Sequence, residues 1–120
     1  MNTNHQTLTA LAEAIDPVCL VRNAVEFIIT VDKMWGNARL GLVLTDAFFR
    51  KQPVTTDELS LKCDASTETV RRLLRPLINV GRVRVLKEGR NIRYKAKAEW
   101  ARWTSAALLT AIKNCIDEHG

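Results

Sequence analysis

At Gly81 the hydrophobic period of the chain changes from 3.6 to 2, and few architectures accept that switch within one short segment. Ahead of it, Val70, Leu73, Leu74 and Leu77 share one face of a helix that Ser66 caps and that runs to about Val80. Behind it, Val83 and Val85 alternate with Arg82 and Arg84; beyond KEGRN, Ile92 and Tyr94 alternate with Arg93 and Lys95. Two short strands around a glycine-containing turn predict a hairpin, and glycine is the residue at which helices commonly end in the left-handed conformation. The expectation is a mainly α chain with one small β-hairpin.

The rest of the chain reads as helices. Residues 7–15 carry Leu8, Leu11, Ala12 and Ile15 at helical spacing, and Pro17 ends that turn or opens the next helix. From Val18 to about Lys33, Arg22, Glu26 and Thr30 recur every fourth position and form one narrow polar stripe. A helix apolar on most of its circumference needs cover on several sides, from a partner helix or from the rest of its own chain. Gly36 and Asn37 precede a third helix, about Ala38 to Lys51, with Leu40, Val43, Leu44, Ala47 and Phe48 along one side. After KQPV, Thr55 and Glu58 have the spacing of a capping box and open a short helix to about Cys63. Asp64 and Ala65 make a tight connection to the helix capped by Ser66. A last helix, about Ala98 to Glu118, places Trp100, Trp103, Ala107, Leu108, Ala111, Ile112, Cys115 and Ile116 on one face.

Charge is distributed less evenly than hydrophobicity. Residues 1–60 hold five basic and seven acidic side chains; residues 61–120 hold thirteen and six. Between Lys62 and Lys97 eleven basic residues face three acidic ones, a local +8 within a net charge of +5. Such a concentration predicts a polyanionic partner, nucleic acid before membrane. The most apolar run, Val18 to Val31, is too short and too often interrupted to span a bilayer. The opening MNTNHQTLTA lacks the features of a signal peptide. Cys19, Cys63 and Cys115 are odd in number and without metal-site spacing, which fits unpaired thiols in a reducing cytoplasm. At 120 residues the chain is expected to form one domain.

Helix, short helix, tight turn, longer basic helix, basic hairpin: in that order these are the parts of a winged helix-turn-helix. The stretch TTDELSLKCDASTETVRRLLRPLINVGRVRVLKEGRNIRYKA resembles that family. Flanking helices at both ends make the chain similar to the MarR-type transcriptional regulators. The wing, KEGRNIRYK, lacks the acidic residue and arginine pair common in that branch, so ArsR-like and phage-type regulators stay open alternatives. The resemblance implies N-terminal dimerisation helices over residues 1–35, a winged helix-turn-helix over 36–97, and a C-terminal dimerisation helix over 98–120. It also implies a cytoplasmic homodimer that binds duplex DNA.

The candidate contacts follow from groove geometry. Thr67, Glu68, Arg71, Arg72 and Arg75 occupy the helix face opposite the leucines. By itself that face could be a solvated one holding a Glu68–Arg72 pair worth a few tenths of a kcal/mol. The hairpin alters the balance, because Arg82, Arg84, Arg93 and Lys95 fall on one of its faces with Lys87, Arg90 and Asn91 about its tip. Ser66, Thr67, Glu68, Arg71 and Arg72 lie in the N-terminal half that a reading helix inserts into the major groove. Arginine there can bond guanine bidentately, and Glu68 can accept from cytosine. Arg75 is placed to meet a phosphate, and the wing tip to meet the backbone or a narrow minor groove. Pro76 removes one helical hydrogen bond, a cost of about 3 kcal/mol in a helix interior, but behind the reading turns.

No sequence pattern supports catalysis, a metal site or a cofactor. His5 and His119 lie near opposite ends. Cys63, beside Lys62, reads as a small core residue before a redox thiol. Trp100 and Trp103 read as packing residues before base-stacking ones. The rival to a DNA-binding regulator is a winged helix used for protein docking, such as an accessory subunit. A small-molecule effector between the domains of a dimer is compatible with the leading reading, although no residue identifies one.

Overall fold

The computed structural model describes residue 10 and residues 15–117. Most of the expected helix over 7–15 and both histidines lie outside these residues, as does Glu118. Five helices and one hairpin follow in order: α1 (Pro17–Trp35), α2 (Ala38–Arg50), α3 (Thr56–Cys63), α4 (Thr67–Asn79), β1 (Val83–Glu88), β2 (Asn91–Ala96) and α5 (Ala98–Asp117).

Local chemistry explains where the helices begin and end. Asp16 caps α1 through a 3.2 Å bond from Val18 N, with Pro17 at the first helical position. Asn37 Oδ1 accepts from Leu40 N at 3.0 Å and starts α2. The Thr55 hydroxyl accepts from Glu58 N at 3.2 Å and donates to the Glu58 carboxylate, so the capping pair read from the sequence is present. Ser66 Oγ accepts from Thr69 N at 3.1 Å and opens α4. That helix runs through Pro76 to Asn79. It closes as a Schellman motif: Gly81 N donates to Ile78 O at 3.1 Å and Arg82 N to Leu77 O at 2.8 Å. Gly81 supplies the left-handed conformation this needs, φ 78°.

The two strands pair antiparallel from Val83↔Ala96 to Glu88↔Asn91, leaving Gly89 and Arg90 as a two-residue loop. The strands therefore reach closer to the tip than the five-residue KEGRN turn read from alternation. Val54 adds a bridge to Tyr94, with N–O distances of 3.0 and 2.7 Å, and anchors the hairpin to the segment ahead of α3.

One core joins all the elements. Leu40, Leu44, Leu59, Val70, Leu74 and Leu77 are buried in it with Val54, Val83, Tyr94 and Ala96; Leu73 is half-buried against them. The core extends without a break into α1 and α5 through Phe27, Val31, Trp35 and Ala101. Trp35 is the hinge of that extension. It is 0% exposed, its Nε1 donates to Thr104 Oγ1 at 2.9 Å, and its ring lies directly on Gly41 of α2.

The C-terminal helix departs from the single face read from its periodicity. Ala101, Thr104 and Cys115 are buried, with Trp100, Ala107 and Ala111 packed on the core. Leu108, Leu109, Ile112 and Ile116 instead face outward. On α1 the inward stripe is Cys19, Asn23, Phe27, Val31 and Trp35, while Val18, Leu20, Val21, Val25, Ile28 and Ile29 remain exposed. Asn23 is tolerated in that stripe because its Nδ2 donates to Cys19 O at 2.9 Å. Among the described residues no helix is long and apolar enough to cross a membrane.

Candidate nucleic-acid interface

The buried face of α4 is Val70, Leu74 and Leu77. Because those residues turn inward, Glu68, Arg71, Arg72 and Arg75 turn outward and are exposed, with Thr67 half-buried beside them. Among the described residues none of the three arginines has an ion pair or a side-chain hydrogen bond, and the Glu68–Arg72 pair does not form. Three guanidinium groups gathered on one helix face repel one another, and an anion docked on them would relieve that repulsion. Ser66 leaves the remaining amides of the first turn pointing out of the same helix end.

The hairpin sorts its cations into three groups. Lys87, Arg90 and Asn91 are exposed at the tip, on and beside the Gly89–Arg90 loop. Arg84 and Lys95 are cross-strand neighbours on an exposed face, with Lys95 Nζ 5.7 Å from the Phe48 ring centroid. Arg93 shares that face but is engaged: its guanidinium donates to Pro53 O at 3.2 Å and lies 3.9 Å from Glu58. It holds the hairpin against α3. Arg82 does not join the face at all. It precedes β1, turns back into the molecule, donates to Met34 O, and lies 4.8 Å from the Trp100 ring centroid.

Sequence reasoning passed over Arg102, which lines the same cleft as Arg84, Lys95 and Phe48. It belongs to a different helix, and no spacing rule connects it to the hairpin. Cys63 is half-buried against the core, and burial pushes its thiol up, only partly offset by the Arg39 guanidinium. Burial thus disfavours the thiolate, and the nearby cation that opposes this is Arg39. Cys63 and Cys115 take part in no disulfide. Among the described residues no group of His, Cys, Asp and Glu is gathered as a metal site would require.

A capped helix-turn-helix followed by a hairpin pinned back onto it, between two long apolar helices, has counterparts among solved proteins. One is MarR from E. coli in its oxidised form: TM-score 0.56, 14% identity, over 88% of this chain and 80% of that one. Another is the transcriptional regulator BldR from Sulfolobus solfataricus: TM-score 0.56, 14% identity, over 98% of this chain and 81% of that one. The fold is a MarR-like winged helix. In its terms α3 and α4 are the helix-turn-helix, β1 and β2 are the wing, and α1 and α5 are the flanking helices. No protein-family model and no curated protein matches the chain by sequence. Its likeness to the MarR-like winged helices thus lies in how the chain is folded, at an identity too low to carry individual residues across.

Proposed function

We propose that this chain is a transcriptional regulator that binds duplex DNA sequence-specifically as a homodimer and catalyses no reaction. The observation that carries the reading is the outward face of α4, where Arg71, Arg72 and Arg75 stand exposed, without partners among the described residues, behind a Ser66-capped helix end. The two solved neighbours, a MarR and a transcriptional regulator, support it.

In this reading α4 enters the major groove with Ser66, Thr67, Glu68, Arg71 and Arg72 at base edges. Arginine discriminates guanine by bonding O6 and N7 together, and the unpaired Glu68 carboxylate can accept from a cytosine amine. Arg75, one turn farther along, meets a phosphate. Lys87, Arg90 and Asn91 carry the wing tip to the backbone or minor groove, and Arg84 adds charge at the wing's exposed side. Arg93 acts indirectly, through its hold on Glu58 and Pro53. The exposed apolar faces of α1 and α5 meet their two-fold mates, setting two α4 helices about one DNA turn apart, roughly 34–36 Å, on a near-palindromic site.

Selection of bound duplexes from a random pool tests this directly, and a palindrome is expected. On the selected site, Arg71→Ala or Arg72→Ala should cost about 1–3 kcal/mol and relax preference at one base pair. Both side chains are exposed, so the fold should be unaffected. Full-strength binding by both variants would mean α4 is not the reader.

Arg90→Ala probes the wing separately. It should weaken specific and non-specific duplexes alike and lower the slope of log affinity against log salt by about one. A changed sequence preference at constant slope would show the tip reading bases instead.

A further inference from the structure

Among the described residues of the basic segment, Arg82 joins other elements through its backbone N–H, its carbonyl and its guanidinium alike. Its N–H donates to Leu77 O at 2.8 Å, closing the end of α4. Its carbonyl accepts from Lys97 N at 2.9 Å, at the threshold of α5. Its guanidinium donates to Met34 O, in the last turn of α1, and stacks on Trp100 of α5 at 4.8 Å. Among the described residues no carboxylate pairs with it. Its charge is balanced by the negative end of the α1 dipole and by the indole face.

We propose that Arg82 is the positioning residue that holds the DNA-reading unit at a fixed angle on the frame of terminal helices. The hydrogen bonds that close α4 end on Arg82 and β1 begins at the next residue, so both proposed DNA-contacting elements meet at this residue. The frame elements α1 and α5 are gripped by the same side chain. In a two-fold dimer any angular freedom at this joint is doubled between the two readers. Each reader alone would still fit its half-site, but the pair would lose the geometric match that makes the second contact intramolecular. That match can be worth about 10²–10⁴ in affinity. An arginine is suited to the task because its planar fork donates in one direction while stacking in another, which lysine cannot do.

This inference rests on the homodimeric DNA-binding reading, and the experiment separates the two. Palindromes of graded half-site spacing and an isolated half-site are titrated against the parent protein, Arg82→Ala, Arg82→Lys and Trp100→Leu. A parent with no spacing optimum, or no dimer by sedimentation, overturns the dimeric reading and the inference with it. Given a parent with a sharp optimum, Arg82→Ala is expected to bind the half-site within about twofold of the parent. It should lose about tenfold or more on the best palindrome, with a broadened spacing preference. Trp100→Leu, which removes the stacking face but leaves the donor, should broaden it as well, and Arg82→Lys should fall between parent and alanine. If Arg82→Ala does not fold, Arg82→Lys carries the test alone. An unchanged optimum in the folded variants overturns the proposal. So does an equal loss on half-site and palindrome with a salt slope reduced by about one, the mark of a simple phosphate contact.

Discussion

Replacing Leu108 and Ile112 together by glutamate is expected to halve the mass of the protein in solution and to abolish binding to a palindromic site. Both side chains are about half exposed in the single chain, at 44% and 48%. They adjoin a groove between α5 and α1 lined by Leu20, Ala24, Phe27, Ile28 and Ala111. With Val18, Val21, Val25, Ile29, Leu109 and Ile116 also exposed, the flanking helices present far more apolar surface than a soluble monomer ordinarily shows. Four carboxylates brought into a two-fold interface would have to be desolvated without partners, which association could not offset. Since neither residue belongs to the core of the chain, the monomer should stay folded. The loss on DNA should approach the whole gain from linking two readers, about 10²–10⁴. Sedimentation equilibrium on parent and variant decides it; a parent that is monomeric at tens of micromolar would sink the architecture.

Gly41→Ala should be strongly destabilising. In an exposed helix the change would stabilise by roughly 0.5–1 kcal/mol. Here the added Cβ would overlap Cγ and Cδ1 of Trp35 and stand 2.7 Å from Trp35 Cβ. The indole cannot swing aside freely. It is fully buried and donates to Thr104 Oγ1 at 2.9 Å, and Thr104 in turn donates to Trp100 O at 2.8 Å. Relief would require α1 to lift from α2 or the buried N–H to lose its partner. Overpacking and an unsatisfied donor each cost about 1–3 kcal/mol, so a loss of about 3 kcal/mol or more is expected. That is a large share of the 5–15 kcal/mol typical of a domain. The urea midpoint should fall at unchanged slope. A variant as stable as the parent would show that the Trp35 contact can relax at no cost.

The candidate reading face was legible because an amphipathic helix specifies its own outside. Once Val70, Leu74 and Leu77 are known to be inside, Arg71, Arg72 and Arg75 can only be outside. The caps at Thr55 and Ser66 were legible for a similar reason, since a hydroxyl reaches an amide three residues away whatever the rest of the chain does. Within the hairpin, alternation put Arg84, Arg93 and Lys95 on one face correctly, yet it carried no information about what that face meets. Glu58 and Pro53, which engage Arg93, come from the first turn of α3 and the segment ahead of it.

By itself, then, the sequence determined which of the segments from Pro17 onward are helical, where the period changes, and which side of α4 carries charge. All of these depend on interactions within a few residues along the chain. Three matters were decided only by tertiary structure. Arg82 left the hairpin face because the carbonyl of Met34 and the ring of Trp100 were within its reach. The stripe on α5 divided into an inner face of Ala101, Thr104 and Cys115 and an outer one of Leu108, Ile112 and Ile116. Periodicity records how apolar a position is and not what lies opposite it, so a stripe wider than one contact face reads as a single face. Gly41 acquired its role because Trp35, six residues earlier and on another helix, lies against it and is held by a hydrogen bond to Thr104. Contacts between distant segments depend on the angles at which helices pack, and those angles follow from the whole set of side chains that fill the core.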